Sequence, residues 1–245
     1  MNNKHFGLKN LNMSPIYDRT GRPLAGKSTL QGVPRIADVY VLLDIMSSMN
    51  VHSRRENDDL RIDTAYVCPQ PVPIDLAQKM RASILLLGPF LARFGKVQIP
   101  LPGGCSIGAR PIGQHAMGLR SLGAHVTFES SRIVATARVG SMHSIFNLEL
   151  PNVTGTESFM LAASRSERLT AIRNAARQPE IEDLAAVLQK MEIKVEGAGT
   201  SVIRIHGTSR PNPYSHRVMP DCIECGTVLI AGALLGNLLA AVRAT

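Results

Sequence analysis

The chain has 245 residues, 44% of them apolar and 19% charged, with four cysteines and a formal net charge of +8. This balance excludes a disordered or fibrous chain, and four cysteines are too few for a disulfide-dense scaffold, so a reducing, cytoplasmic setting is expected. The arginines are scattered, aromatics amount to 4% and tryptophan is absent, which argues against nucleic acid and for a small anionic ligand.

Residues 1–33 show weak periodicity and several chain breakers, and MNNKHFGLKN contains no apolar run that could serve as a signal peptide. Within this stretch Gly21 to Ser28 spell GRPLAGKS, a letter-for-letter phosphate-loop motif. A working loop of that kind follows a hydrophobic strand and opens a helix. Here NLNMSPIYDRT precedes it, and Gly32 and Pro34 follow before two helical turns could form. The match reads as a coincidental surface loop, and a phosphate-loop nucleotidase that depends on Lys27 is the weakest of the readings.

From Val33 onward one pattern occurs three times: a proline, an amphipathic helix, a Leu or Met, then two short alternating segments that read as strands. The helices end at Met49, Leu122 and Met191, and the strand pairs fall in VHS with DDLRIDT, HVTFE with SRIVATA, and IKVEG with TSVIRIH. Between them, IDLAQKMRASILLLGPFLARFG reads as a helix interrupted near Pro89, where the ring removes a donor. KVQIPL and HSIFNLEL read as strands, and a short helix over 156–163 leads into the strand LTAIRN. Each unit is too small to bury its own apolar face, so the three must pack together in an α/β lobe. The stretch 207–220 reads as a linker.

Residues 226–242 then run without a charge, at the short limit for a bilayer span. Internal glycines and the lack of a flanking basic cluster favour a buried helix over a membrane segment. Downstream partner elements are lacking, so the chain is expected to be cut short, with this helix covered by self-association or by a separately encoded second half.

Two motifs carry thiols. Cys222 and Cys225 form a lone C-x-x-C without the further ligands of a zinc site or the βαβ context of a redox site, and read as two thiols beginning a helix. Cys105 lies in LPGGCSIGARP, a glycine- and proline-rich loop with Arg110 five residues on. A cysteine near a cation suits general-acid or nucleophile work. On composition alone, that reading and a cysteine buried under a strand end stand level.

The run MRASILLLGPFLARFGKVQIPLPGGCSIGARP resembles the enolpyruvyl transferases that act on UDP-N-acetylglucosamine. The likeness continues through GLRSLGAHV, NVTGTESFMLAAS, NAARQPEIEDLAAVL, GAGT and MPDCIECGT. The sister family acting on shikimate phosphate lacks the cysteine loop. The resemblance implies two lobes, each of three βαβαββ units with pseudo-threefold symmetry, here one lobe and an incomplete second. Residues 1–10 would start the split lobe, 11–219 would form the three-unit lobe, and 220–245 would return into the split lobe.

It also implies transfer of the enolpyruvyl group from phosphoenolpyruvate to the sugar 3′-hydroxyl, in the cytoplasm, for peptidoglycan synthesis. No cofactor, metal, nucleic acid or membrane is implied. By position, Cys105 is the proton donor to phosphoenolpyruvate and Arg110 the loop arginine for phosphate groups. Arg81 matches an arginine that contacts the sugar nucleotide, and Lys9 and Asn10 match a pair that meets phosphoenolpyruvate. Pro111, Ile112, Gly113 and Gln114 occupy the uridine-contacting stretch, and Asn152 and Val153 a second nucleotide-contacting turn. Three positions depart from the pattern: Gly113 replaces an aspartate, Gln178 an acid and Cys222 an arginine. The expected absence of a catalytic aspartate and further arginines from the other lobe sets a rival reading beside the enzyme: an inactive remnant that retains at most nucleotide-sugar binding.

Overall fold

The computed structural model describes residues 27–103 and 112–234, apart from the side chains of residues 222–224. In chain order the elements are β1 (Lys27–Gln31), α1 (Ala37–Ser47), β2 (His52–Glu56), β3 (Asp59–Asp63), α2 (Ile74–Lys79), a 3-10 helix (Arg81–Leu86), α3 (Leu87–Phe94) and β4 (Lys96–Pro100). Then come α4 (Gly113–Ser121), β5 (His125–Glu129), β6 (Arg132–Thr136), β7 (Ile145–Asn147), α5 (Val153–Ala163) and β8 (Leu169–Arg173). The last are α6 (Pro179–Lys190), β9 (Lys194–Glu196), β10 (Val202–His206), β11 (Ser215–Arg217) and α7 (Cys222–Leu234).

The threefold repetition is present down to single hydrogen bonds. Three sheets contain the same antiparallel trio, in the orders β1-β3-β2, β4-β6-β5 and β8-β10-β9, with α1, α4 or α6 joining the first two strands in sequence. Each of these helices ends in one turn type. Asn50, Gly123 and Glu192 take positive φ of 61, 96 and 65°. The amide of the next residue reaches back to Met46, Leu119 and Leu188, as Val51 N–H to Met46 O (3.1 Å), Ala124 N–H to Leu119 O (3.0 Å) and Ile193 N–H to Leu188 O (3.0 Å). This is the left-handed helix stop that satisfies orphaned carbonyls. The three helix ends expected near Met49, Leu122 and Met191 are therefore where the chain turns.

Outer helices cover the sheets with their apolar faces, for example Val39, Leu42, Ile45 and Met46 of α1 and Ile181, Leu184, Val187 and Leu188 of α6. At the centre α5 lies between α3 and α4, and all units share one continuous apolar core. A Cβ on Gly88 would stand 2.3 Å from the Ser158 carbonyl oxygen, so α3 approaches α5 at a distance that only glycine permits.

Several expectations are corrected. The break in 74–94 lies at Met80, whose extended φ/ψ of −139/123° separates α2 from the 3-10 helix, and Pro89 sits in the first turn of α3. Proline is tolerated there because the early amides of a helix have no intrahelical acceptor. The irregular stretch before Val33 contains β1, and the expected linker 207–220 contains β11. These pair in parallel, Leu30 with His216, although they come from opposite ends of the lobe. Tyr214 sits beside this pairing, its carbonyl accepting from Thr29 N–H at 2.9 Å. Lys27 and Ser28 belong to β1 and do not open a helix, which removes the phosphate-loop reading. Finally, α7 is exposed on this chain, with Val228, Leu229, Ile230 and Leu234 open to solvent. No helix among the described residues is long and apolar enough to cross a membrane.

Candidate functional site at the junction of two helix starts

The stem of the cysteine loop is held on its entering side. After β4, Leu101 N–H donates to Ser131 O at 2.9 Å, and Gly103 N–H points at Ala77 O at 3.5 Å. A Cβ on Gly103 would lie 2.1 Å from the Gln78 carbonyl oxygen, so the strand exit passes over the end of α2 with no room for a side chain. Cys105, Arg110 and Pro111 lie outside the described residues, as do Lys9 and Asn10.

On the leaving side the chain resumes at Ile112, which precedes the first residue of α4, and His115 N–H returns to Ile112 O at 3.0 Å. Nothing lies within 4 Å of where a Cβ on Gly113 would be. The next residue, Gln114, accepts at Oε1 from the Asn152 side-chain amide at 3.1 Å. Asn152 is also the N-cap of α5, its Oδ1 accepting from Gly155 N–H at 2.8 Å and from the Thr154 hydroxyl at 3.0 Å. One asparagine thus stops an α5 amide from being orphaned and ties the start of α5 to the start of α4. Val153, half-buried, begins α5 beside it. The starts of α4 and α5 bring partial positive charge to one neighbourhood.

Arg81 opens the 3-10 helix from the extended turn at Met80 and is half-buried. Its charge acts on His115. His115 was not among the sequence-derived candidates, yet it is 2% exposed in the first turn of α4. Burial first, then the Arg81 guanidinium, pull its pKa from 6.5 down to about 4, and the Thr154 backbone offsets this only in part. Its ring rests obliquely against Phe159 with centroids 6.4 Å apart, and Phe159 meets Phe146 edge-on at 5.4 Å. The sequence signal for His115 was its place one residue after the nucleotide-contacting stretch. Glu157, fully buried on α5, was likewise missed.

Of the candidate residues the structure therefore assembles Arg81, Ile112, Gly113, Gln114, Asn152 and Val153 around the α4–α5 junction. A cleft of about 50 Å³ between α4 and β7 adjoins it, with Gln114, Gly118 and Phe146 in its wall. A larger open groove of about 570 Å³ shares no residue with the junction. It lies where β1 meets the β2–β3 turn, with Arg35 and Arg217 facing Glu56, Asp58 and Asp59. Those charges offset one another, so the groove lacks the one-sided field of an anion site.

A family model described as EPSP synthase (3-phosphoshikimate 1-carboxyvinyltransferase) matches residues 24–243. The chain belongs to the EPSP synthase family. Within that family its sequence is similar to UDP-N-acetylglucosamine 1-carboxyvinyltransferase of Trichlorobacter lovleyi, at 44% identity over 212 residues, which is 86% of this chain and 51% of that protein. The protein of the same name from Myxococcus xanthus is 43% identical over 216 residues, with the same coverage. The chain thus spans about half the length of the curated relatives it matches.

Two solved structures share the enolpyruvyl transferase fold. The enolpyruvyl transferase NikO from Streptomyces tendae superposes with a TM-score of 0.76 at 19% identity, over 94% of this chain and 53% of that one. EPSP synthase from Acinetobacter baumannii gives 0.70 at 17%, over 94% and 51%. The mixed helix-and-sheet lobe expected from the sequence is the fold found, again matching about half of each longer chain.

Proposed function

We propose that this chain carries the cysteine-loop lobe of an enolpyruvyl transferase acting on UDP-N-acetylglucosamine and phosphoenolpyruvate. In this reading the Cys105 thiol gives its proton to the methylene carbon of phosphoenolpyruvate, and the sugar 3′-oxygen bonds to the neighbouring carbon as it loses its own proton. Loss of a methyl proton with cleavage of the bond to phosphate then yields the enolpyruvyl ether and free phosphate. A positioned acid and fixed cations are what such a step requires. Arg110 faces phosphate groups, Lys9 and Asn10 meet phosphoenolpyruvate, and Arg81 with Pro111, Ile112, Gly113, Gln114, Asn152 and Val153 holds the nucleotide sugar. Residues 220–245 begin the return into a second lobe, whose carboxylate takes the sugar proton. The activity serves peptidoglycan synthesis in the cytoplasm, and through the wall it serves cell shape, the cell cycle and division.

The observation that carries this reading is the Gln114–Asn152 hydrogen bond. It joins two stretches 38 residues apart in sequence, the two that the resemblance assigns to the nucleotide. The 44% identity to relatives of that name supports the same substrate.

A second reading, nucleotide-sugar binding without turnover, is favoured by Gly113, which leaves open space where an aspartate is expected. The exposed face of α7 supports contact with a second chain in either case. Phosphate release from the two substrates, with Cys105→Ser as control, separates the readings. Release abolished in the control supports the transferase. A folded chain that binds UDP-N-acetylglucosamine and releases no phosphate supports the binding module, and absence of both sinks the two together.

A further inference from the structure

Three connecting segments meet at the C-terminal end of α5, about 16 Å along that 11-residue helix from the junction at its start. They are residues 137–144 between β6 and β7, 164–168 between α5 and β8, and 207–214 between β10 and β11. Arg165 Nη2 donates to Ser209 O at 3.0 Å, Thr208 N–H to Ser164 O at 2.9 Å and the Ser209 hydroxyl to Glu167 Oε1 at 2.7 Å. Arg168 Nη1 reaches His143 Nε2 at 3.2 Å and ties in the first segment. A Cβ on Gly207 would stand 2.4 Å from Ser164 O, so the last segment is pressed onto the helix end.

Between them the segments carry Arg138, Arg165, Arg168 and Arg210 against the one carboxylate of Glu167. None of the four arginines forms an ion pair among the described residues. The end of a helix favours a nearby cation, but a single one meets that need. Arg165 is half-buried, and its Nε–H is enclosed without an acceptor among the described residues. A charge drawn out of water without a counter-charge costs stability.

Neutral groups hold the two guanidiniums in place. Arg165 rests on the Ser209 carbonyl. Arg168 rests on His143, whose Nδ1 lies 2.6 Å from Ser141 O. A carbonyl only accepts, so Nδ1 carries the hydrogen, and Nε2 of the uncharged ring is the acceptor that faces Arg168. Both cations are thus oriented without being neutralised, and each has N–H donors to spare.

We propose that the C-terminal end of α5 is an anion-binding site, separate from the junction, where Arg165 and Arg168 take a phosphate group from a soluble phosphate or a lipid headgroup. A guanidinium fork matches phosphate oxygens in pairs. The surplus positive charge suits a doubly charged anion better than one carboxylate. The site does not depend on the nucleotide-sugar reading.

The test is a titration of the chain with inorganic pyrophosphate, followed by amide NMR so that each surface is read separately. Saturable shifts are expected in residues 137–144, 164–168 and 207–210. Arg168→Gln removes an exposed charge and should weaken that response at least about tenfold, the usual worth of a charge-assisted hydrogen bond. Arg54→Gln, an equal loss of charge on the exposed strand β2, should leave it unchanged. Arg165→Gln keeps a donor for Ser209 O, so it should abolish the response without lowering the melting temperature. Shifts confined to other surfaces, or equal losses in Arg168→Gln and Arg54→Gln, overturn the proposal. Flotation with phosphatidylglycerol vesicles, against phosphatidylcholine, then separates the sources. Vesicle binding lost in Arg168→Gln supports a headgroup, and pyrophosphate shifts without vesicle binding support a soluble phosphate.

Discussion

Helices α5 and α7 are both strongly apolar, 11 and 13 residues long, and have opposite fates. Every residue of α5 from Gly155 to Ala163 is buried, whereas α7 exposes Val228, Leu229, Ile230 and Leu234. Apolar composition gives both the same drive out of water. What separates them is a surface shaped to receive them. Around α5, Gly88 of α3 leaves room for the Ser158 carbonyl, and Gly118 of α4 leaves room for the Phe159 ring, which a Cβ there would meet at 2.1 Å. No element among the described residues packs along α7 to that extent. The cost of a change should therefore follow enclosure rather than hydrophobicity.

The largest effect is expected at Phe159, fully buried against Phe146 and His115. Phe159→Ala should lower unfolding free energy by about 3–5 kcal/mol in a denaturant titration. A loss below about 1 kcal/mol would show that α5 is not enclosed as described.

The same enclosure sets a pH dependence. The folded-state pKa of His115 near 4 lies below its ordinary 6.5, so between these values only the unfolded chain takes up the proton. Its stabilising contribution is complete above about pH 6.5 and lost as pH falls to about 4, on the order of 3 kcal/mol in all. Denaturant midpoints should fall from pH 7 to pH 4.5 more steeply in the wild type than in His115→Leu. Parallel falls would remove the assignment.

A smaller effect is expected where α5 begins. Asn152→Ala removes the cap and the bridge to Gln114, and should cost about 1 kcal/mol of stability. It should also weaken UDP-N-acetylglucosamine binding, by calorimetry, if the junction holds that ligand. The smallest effect belongs to α7. Ile230→Ser changes a side chain that is 64% exposed, so stability should move by less than about 0.5 kcal/mol. If α7 meets a second chain, light scattering should show less self-association. A large loss of stability would mean that α7 is covered within this chain after all.

Much of the lobe was legible in local pattern. The helices ending at Met49, Leu122 and Met191 and the hairpins after them depend on neighbouring residues alone, on a 3.6-residue period followed by a twofold one. Five candidate positions, Cys105, Arg110, Pro111, Lys9 and Asn10, were read from sequence and lie outside the described residues. The break at Met80 was misplaced to Pro89 because a proline interrupts a helix interior and not its first turn, and the sequence does not mark where a first turn begins.

By itself, then, the sequence determined the helices and closing hairpins of the three units, their order and the residue types at the junction, since these follow from periodicity and short-range backbone chemistry. Only the tertiary structure decided which distant segments meet. The strand pair β1–β11 joins Leu30 to His216 across nearly the whole chain, in strands of five and three residues with no long-range signal in either. The bond from Asn152 to Gln114 and the burial of His115 against Phe159 are of the same kind. Each is a property of what packs against a residue, and that partner is fixed by the closing of the fold rather than by the residue's neighbours in sequence.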